Sequence, residues 1–345
     1  MTTGTSTQAF KPAWWLPEGH SQTLWRKLSP PAAIELTRQR LELDDGDFID
    51  LDWAAEINGN HPVTKDRPSP LADSATDSHP PIVVILHGLC GCSSSPYVVA
   101  LQTLLTAQSI PSVTVNFRGC SGEMNRLARA YHSGVSEDVQ AVFTKLMPLY
   151  PEHKFSFVGY SLGANVLLKW LGEIQSHARV DRAVAISTPF SLEFCSRAML
   201  TGLGQFYGGY FVRRLRKDFE QKKQHFKDKG EDGELQRLEA LGNLHGIDSI
   251  WEFDDRITAP LHGFTGAADY YRQCSSLGYI DSIRTSTLLL QSRNDPLIPV
   301  AAMPRKRQLN GSIKLELSAK GGHVGFISSG PDNWLEQRIL KFIQA

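Results

Sequence analysis

No stretch of this sequence approaches the roughly 20 consecutive apolar residues that a membrane-spanning helix needs. Its longest apolar run, Ile82 to Leu86, has the length of a buried strand. An excess of charge is missing too. The 36 basic side chains balance 36 acidic ones, for a formal net charge of +0. No global electrostatic attraction therefore favours nucleic acid or an anionic membrane. Cysteine is scarce and unpatterned. Cys90, Cys92, Cys120, Cys195 and Cys274 are odd in number, and Cys90-x-Cys92 lacks the two-residue spacing of zinc and redox motifs. All five are expected as free thiols. Met1 to Gln8 is small and polar, without the basic-then-apolar order of a secretory signal. Together these features predict a soluble, cytoplasmic protein with no stable membrane insertion.

What is present is an alternation. Residues 1–34 hold Trp14, Trp15 and Trp25 with little periodicity, and are expected to form an irregular arm packed on a larger body. Leu36–Leu43 and Phe48–Trp53 flank Asp44-Asp45-Gly46-Asp47, a hairpin signal because Asp-Gly tolerates positive φ. Asn58–Pro81 is polar and rich in Pro and Ser, as exposed loops are. Short apolar strands are then predicted at Ile82–Leu86, Ser112–Phe117, Lys154–Gly159, Arg182–Ser187, Thr287–Gln291 and Ile313–Leu317. Helical spacing appears between them, as in Val139, Val142, Phe143 and Leu146. Strands separated by helices imply an α/β fold with a mostly parallel, doubly wound sheet, and the hairpin forms its antiparallel N-terminal edge. The alternation breaks over 189–260, which reads as a helical cap between core segments 35–188 and 261–345. The charged run Arg213 to Glu239 inside it contains many acids, so a solvated helix face is favoured over a nucleic-acid or membrane surface.

Gly159-Tyr160-Ser161-Leu162-Gly163 fits G-x-S-x-G, with a strand predicted before it and a helix after it. That context holds a serine on a sharp turn above the carboxyl ends of the strands, where open α/β sheets bind ligands. The bland reading is a tight-turn serine with no chemistry. A serine hydroxyl needs a base, and the base an orienting acid, in the chain order Ser, acid, His. Asp295 follows the strand Thr287–Gln291. His323 follows Ile313–Leu317 in Gly321-Gly322-His323-Val324-Gly325, where glycines permit close approach. His87, His132 and His262 do not follow a late strand, and are weaker candidates for the base. Leu162 and Leu89, the latter in His87-Gly88-Leu89, are the expected backbone N–H donors of an oxyanion hole. His132 and Tyr160 are candidates for lining the pocket. Arg118 and Glu123 stay open between substrate contact and ion pairing.

These segments resemble the YheT-like α/β-hydrolases, whose eukaryotic relatives include medium-chain fatty-acid ethyl ester synthase/esterases and lipid-acting hydrolases. The resemblance is carried by Gly19-His20-Ser21-Gln22-Thr23, His87-Gly88-Leu89, Phe117-Arg118-Gly119-Cys120-Ser121-Gly122-Glu123 and Tyr131-His132-Ser133-Gly134. It continues through the serine motif, Asn294-Asp295-Pro296 and Gly321-Gly322-His323-Val324-Gly325-Phe326, and so covers nearly the whole chain. It implies the α/β-hydrolase fold and a carboxylic-ester hydrolase with Ser161, Asp295 and His323 as its charge-relay residues. It also implies a small-molecule ester with a short- to medium-chain aliphatic acyl group as partner. Ala164 departs from the glycine that relatives often carry, at a helix start where it leaves the triad undisturbed. No metal or organic cofactor is required by this chemistry. Ester synthesis and thioester cleavage use the same serine, and a catalytically silent binding protein keeps the same fold. The physiological ester and the oligomeric state are not written in these motifs.

Overall fold

The computed structural model describes residues 9–54, 79–330 and 333–345. Up to residue 78, the loop expected at Asn58–Pro81 lies outside the described residues. Eight strands form one sheet: β1 (Leu36–Glu42), β2 (Phe48–Ala54), β3 (Ile82–Leu86), β4 (Ser112–Asn116), β5 (Phe155–Tyr160), β6 (Val180–Ile186), β7 (Ser286–Ser292) and β8 (Ile313–Ser318). Their order is β1-β2-β4-β3-β5-β6-β7-β8. The β1–β2 and β2–β4 pairs are antiparallel and the others parallel. This is the mostly parallel sheet with an antiparallel N-terminal edge that the alternation predicts.

Helices cover both faces, which is why the central strands β3, β4 and β5 are buried along their whole length. Alternate residues of a strand serve opposite faces. Ile82 and Val84 of β3, with Phe155 and Phe157 of β5, join Val139, Val142 and Phe143 of the helix Ser136–Leu146 and Leu167, Trp170 and Leu171 of the helix Leu162–Ile174. Val83, Ile85, Val158 and Tyr160 instead meet Val98, Leu101 and Leu105, together with Leu335 and Ile339. The helices, in chain order, are α1 (Gly19–Leu28), α2 (Pro96–Ala107), α3 (Ser136–Leu146), α4 (Leu162–Ile174), α5 (Leu192–Ala198), α6 (Gly204–Lys229), α7 (Asp232–Glu239), α8 (Ile250–Phe253), α9 (Ala259–Leu261), α10 (Ala267–Cys274) and α11 (Trp334–Ile343).

Helices α5 to α9 occupy the interval where the alternation breaks. Val212, Phe219 and Phe226 of α6 share a small core with Leu238, Ile250 and Phe253. A polar contact ties α6 to the sheet domain. The buried Lys222 amine donates to Asn125 Oδ1 at 2.9 Å and to the Arg129 carbonyl at 2.7 Å. Burial pulls that amine down to about 7.

The N-terminal arm departs from the sequence reading. It is not irregular throughout, because Gly19–Leu28 is a helix. Only Gly19 and Gln22 of it are buried. It docks through polar groups, so apolar periodicity gives it no signal. Among the described residues, no helix is long and apolar enough to cross a membrane.

Candidate active site

Ser161 sits between β5 and α4 with φ 52° and ψ −117°. This is a left-handed-side conformation that a non-glycine residue adopts only when its surroundings enforce it. They do so here by crowding: a side chain at Gly163 would place its Cβ 2.4 Å from the Leu86 carbonyl oxygen. The turn throws the serine hydroxyl beyond the carboxyl end of β5. The loops after β7 and β8 bring Asp295 and His323 to the same end. His323 Nε2 lies 2.9 Å from Ser161 Oγ, and His323 Nδ1 lies 2.9 Å from Asp295 Oδ2. The network assigns the tautomer: Nδ1–H donates to the carboxylate, leaving the Nε2 lone pair to accept from the hydroxyl. The other Asp295 oxygen, Oδ1, accepts the Leu297 and Ile298 N–H groups at 2.9 and 3.1 Å. The carboxylate is buried and fixed at both ends.

The His323 loop is held from two sides. From the sheet, Ser187 Oγ accepts the Val324 N–H at 2.9 Å, and Asn294 Oδ1 accepts the Gly322 N–H at 3.1 Å. From the arm, Thr23 Oγ1 accepts the His323 N–H at 2.9 Å, and Gln22 Oε1 accepts the Ile327 N–H at 2.6 Å. Arg26 donates to the Gly325 carbonyl at 3.0 Å and forks onto Glu336. The packing is tight enough that a Cβ on Gly322, where φ is +63°, would lie 2.4 Å from the Gly19 carbonyl oxygen. Gln22, Thr23 and Arg26 had no assigned role in the sequence reading. The available signal is Gly19-His20-Ser21-Gln22-Thr23, which carries the family resemblance without a role for these side chains.

The loop after β3 lies on the other side of Ser161. The Gly88 N–H donates to Tyr97 Oη, that of Cys90 to Tyr131 Oη, that of Gly91 to the Gly88 carbonyl, and that of Cys92 to Ser95 Oγ. The Leu89 N–H has no such acceptor among the described residues. The Leu162 N–H opens α4, where no intrahelical acceptor exists. His87, beneath this loop, is fully occupied. Its Nδ1 meets the Gly88 carbonyl and its Nε2 accepts the Phe117 N–H. Burial lowers it to about 4, so it stays neutral.

Ser161 and His323 open into a cavity of about 960 Å³. Leu24 of α1, Leu89, Leu203, Phe206 and Phe211 give it a largely apolar wall. His20 of α1 and Tyr207 of α6 face each other across it, Nδ1 to Oη at 3.0 Å with stacked rings. Cys90 also lines it, but burial pushes that thiol up to about 12, so it remains a neutral side chain.

Other expected site residues lie elsewhere. Tyr160 does not line the cavity. It is the last residue of β5, its side chain turns into the sheet face opposite Phe157, and its ring packs on Tyr97. His132 is equally absent from the cavity. It packs on His262, Phe264 and Tyr270 and borders a separate, polar cavity of about 500 Å³. Arg118 is buried in ion pairs with Asp45, Asp47 and Asp138, and Glu123 is an exposed partner of Arg40. Neither reaches the cavity.

Comparison with known proteins matches this geometry. The family model described as "alpha/beta hydrolase fold" matches residues 81–329. YheT of Escherichia coli (strain K12), which carries the name of an esterase, is 36% identical over 304 residues, covering 87% of this chain and 82% of its own. Human phospholipase ABHD3 is 27% identical over 346 residues, covering 98% of this chain and 79% of its own. Among solved structures, a Pyrococcus furiosus esterase superposes with a TM-score of 0.54 at 16% identity, over 92% of this chain and 98% of that one. That likeness speaks for the fold alone. With a relative more than a third identical along most of its length and a family model spanning six of the eight strands, β3 to β8, the chain is a hydrolase belonging to the YheT-like α/β-hydrolase family.

Proposed function

We propose that the protein is a serine carboxylic-ester hydrolase that works through an acyl-enzyme. One observation carries this reading: Ser161, His323 and Asp295 form an unbroken hydrogen-bonded line, at 2.9 Å per link, whose Ser161 and His323 open into an apolar cavity. His323 takes the proton from Ser161 as the hydroxyl attacks the ester carbonyl. Asp295 keeps the imidazole in the accepting tautomer and stabilises the cation that forms. Leu89 and Leu162 donate their unpartnered N–H groups to the developing oxyanion. Removing one such donor costs on the order of 10²–10³ in rate. Collapse transfers the proton from His323 to the departing alcohol. Water, deprotonated by His323, then attacks the acyl-enzyme and releases the acid.

The apolar wall supports an aliphatic acyl chain as the group held on Ser161, within the volume range of small-molecule sites. The aromatic start of α6 supports the reading of 189–260 as a lid that sets chain length. The test is labelling by a fluorophosphonate probe, run beside turnover of p-nitrophenyl esters of increasing chain length. Wild type should label and turn over, while Ser161→Ala and His323→Ala should lose both. Phe206→Ala with Tyr210→Ala should shift the preferred length. A folded wild type that neither labels nor turns over any ester refutes the hydrolase mechanism, and an unchanged length profile refutes the lid.

A further inference from the structure

Five of the ten large apolar side chains exposed among the described residues gather at one place. Leu24, Leu203, Phe206 and Tyr210 are exposed and at the same time line the cavity above Ser161. They therefore form its mouth. Leu28, one helical turn beyond Leu24 on α1, extends the patch and is 75% exposed, as is Phe206. Isolated surface leucines need no explanation, but a contiguous apolar collar does.

The two helices that build the collar are one-signed. α1 contains Arg26 and Lys27 and no acid, and Gly204–Lys217 of α6 contains Arg213, Arg214, Arg216 and Lys217 and no acid. Arg26 is engaged by Glu336, and Arg216 faces Asp248. Lys27 lies 4.3 Å over the Tyr210 ring and Arg213 beside Gly209, and Arg214 and Lys217 follow on α6, sharing the carboxylate of Asp218. The acids nearby are Glu18, at the cavity wall, and Asp218, next along α6. The charged run beginning at Arg213 is thus mixed as a whole and basic where it meets the mouth, on a chain whose net charge is zero.

We infer that this collar docks the protein reversibly on an anionic lipid surface, from which an ester enters the cavity without crossing water. Apolar side chains ringed by cations are the pattern of peripheral membrane contact, with the apolar groups sunk to the acyl boundary and the cations at the headgroups. The position of the mouth selects this occupant: a protein sealed over the collar would cover the mouth of the cavity above Ser161, whereas a lipid layer feeds it. What the surface delivers rests on the esterase reading; the docking itself does not.

The experiment is sedimentation of the full chain with vesicles of phosphatidylcholine alone or mixed with phosphatidylglycerol. Wild type should bind the mixed vesicles more tightly. Leu28→Asp, which touches no cavity wall, should weaken binding at least about tenfold. Arg213→Ala and Lys217→Ala should each cost about fivefold on mixed vesicles and little on phosphatidylcholine. All three variants should hydrolyse a water-soluble ester as wild type does and melt at the same temperature. Failure of folded wild type to bind either vesicle overturns the proposal, as does binding that survives all three substitutions. Self-association that Leu28→Asp disperses, without vesicle binding, also overturns it and assigns the collar to a second copy. Absence of soluble-ester turnover would strike the esterase reading instead, since vesicle binding is scored without turnover.

Discussion

Replacing Asp295 by Asn tests the site at its most constrained point. Asp295 Oδ1 accepts two backbone N–H groups, from Leu297 and Ile298, while Oδ2 faces His323 Nδ1. An asparagine must choose which atom goes where. Keeping the amide oxygen on the two N–H groups points its NH2 at His323. The imidazole then accepts at Nδ1, carries its proton on Nε2, and cannot deprotonate Ser161. The flipped amide restores the tautomer but sets NH2 against two buried donors, at about 1–3 kcal/mol for each lost bond. Even about 2 kcal/mol leaves only about 3% of molecules in the competent orientation, a loss of about 30-fold. The same exchange in the serine-protease triad costs about 10⁴ in kcat. We expect kcat for a p-nitrophenyl ester to fall by about 10³–10⁴, with KM close to wild type because the cavity wall is untouched. An Asp295→Asn enzyme that keeps more than about a tenth of wild-type kcat, with its melting temperature preserved, would refute this orientation argument.

Three further outcomes are expected. Thr23→Val leaves the His323 N–H without its acceptor and should lower kcat by roughly tenfold, with about 1–3 kcal/mol of stability lost, while Thr23→Ser restores both; kinetics and thermal melts of the pair decide it. Arg118→Ala strands Asp45, Asp47 and Asp138 around a buried vacancy and should cost about 3–5 kcal/mol in urea unfolding, with KM unchanged in the protein that remains folded. The Lys222 amine sits near 7 when folded against an ordinary value of 10.5. Between those values the unfolded chain binds the extra proton, so stability should rise with pH across that window and level off below about 7. Lys222→Met should flatten the slope in urea midpoints taken from about pH 6 to about pH 9.

The sheet and the line of three side chains were legible because each rests on a local rule. Buried parallel strands are short apolar runs, and Ile82–Leu86 was found to the residue. Strand-end logic and chain order then singled out Ser161, Asp295 and His323. Tyr160 was misplaced because adjacency in sequence to Ser161 is not adjacency in space: the last residue of β5 still obeys the strand's alternation and points into the sheet. His132 was misplaced because its partners, His262, Phe264 and Tyr270, come from segments more than 100 residues away. The cavity was least legible. Its wall combines α1, the loop after β3 and α6, and α1 docks through hydrogen bonds accepted by Gln22 and Thr23 and donated by Arg26, to which hydrophobic periodicity is blind.

The bond from the His323 amide to Thr23 joins residues 300 positions apart. On the ribosome, α1 is made about 300 residues before the His323 loop. Loop closure over such a span comes late in folding. A growing chain thus carries Ser161 long before it carries His323, and the His323 loop is clasped only when α1 returns to it. On the proposed mechanism, ester hydrolysis would then report that α1 and the His323 loop have met.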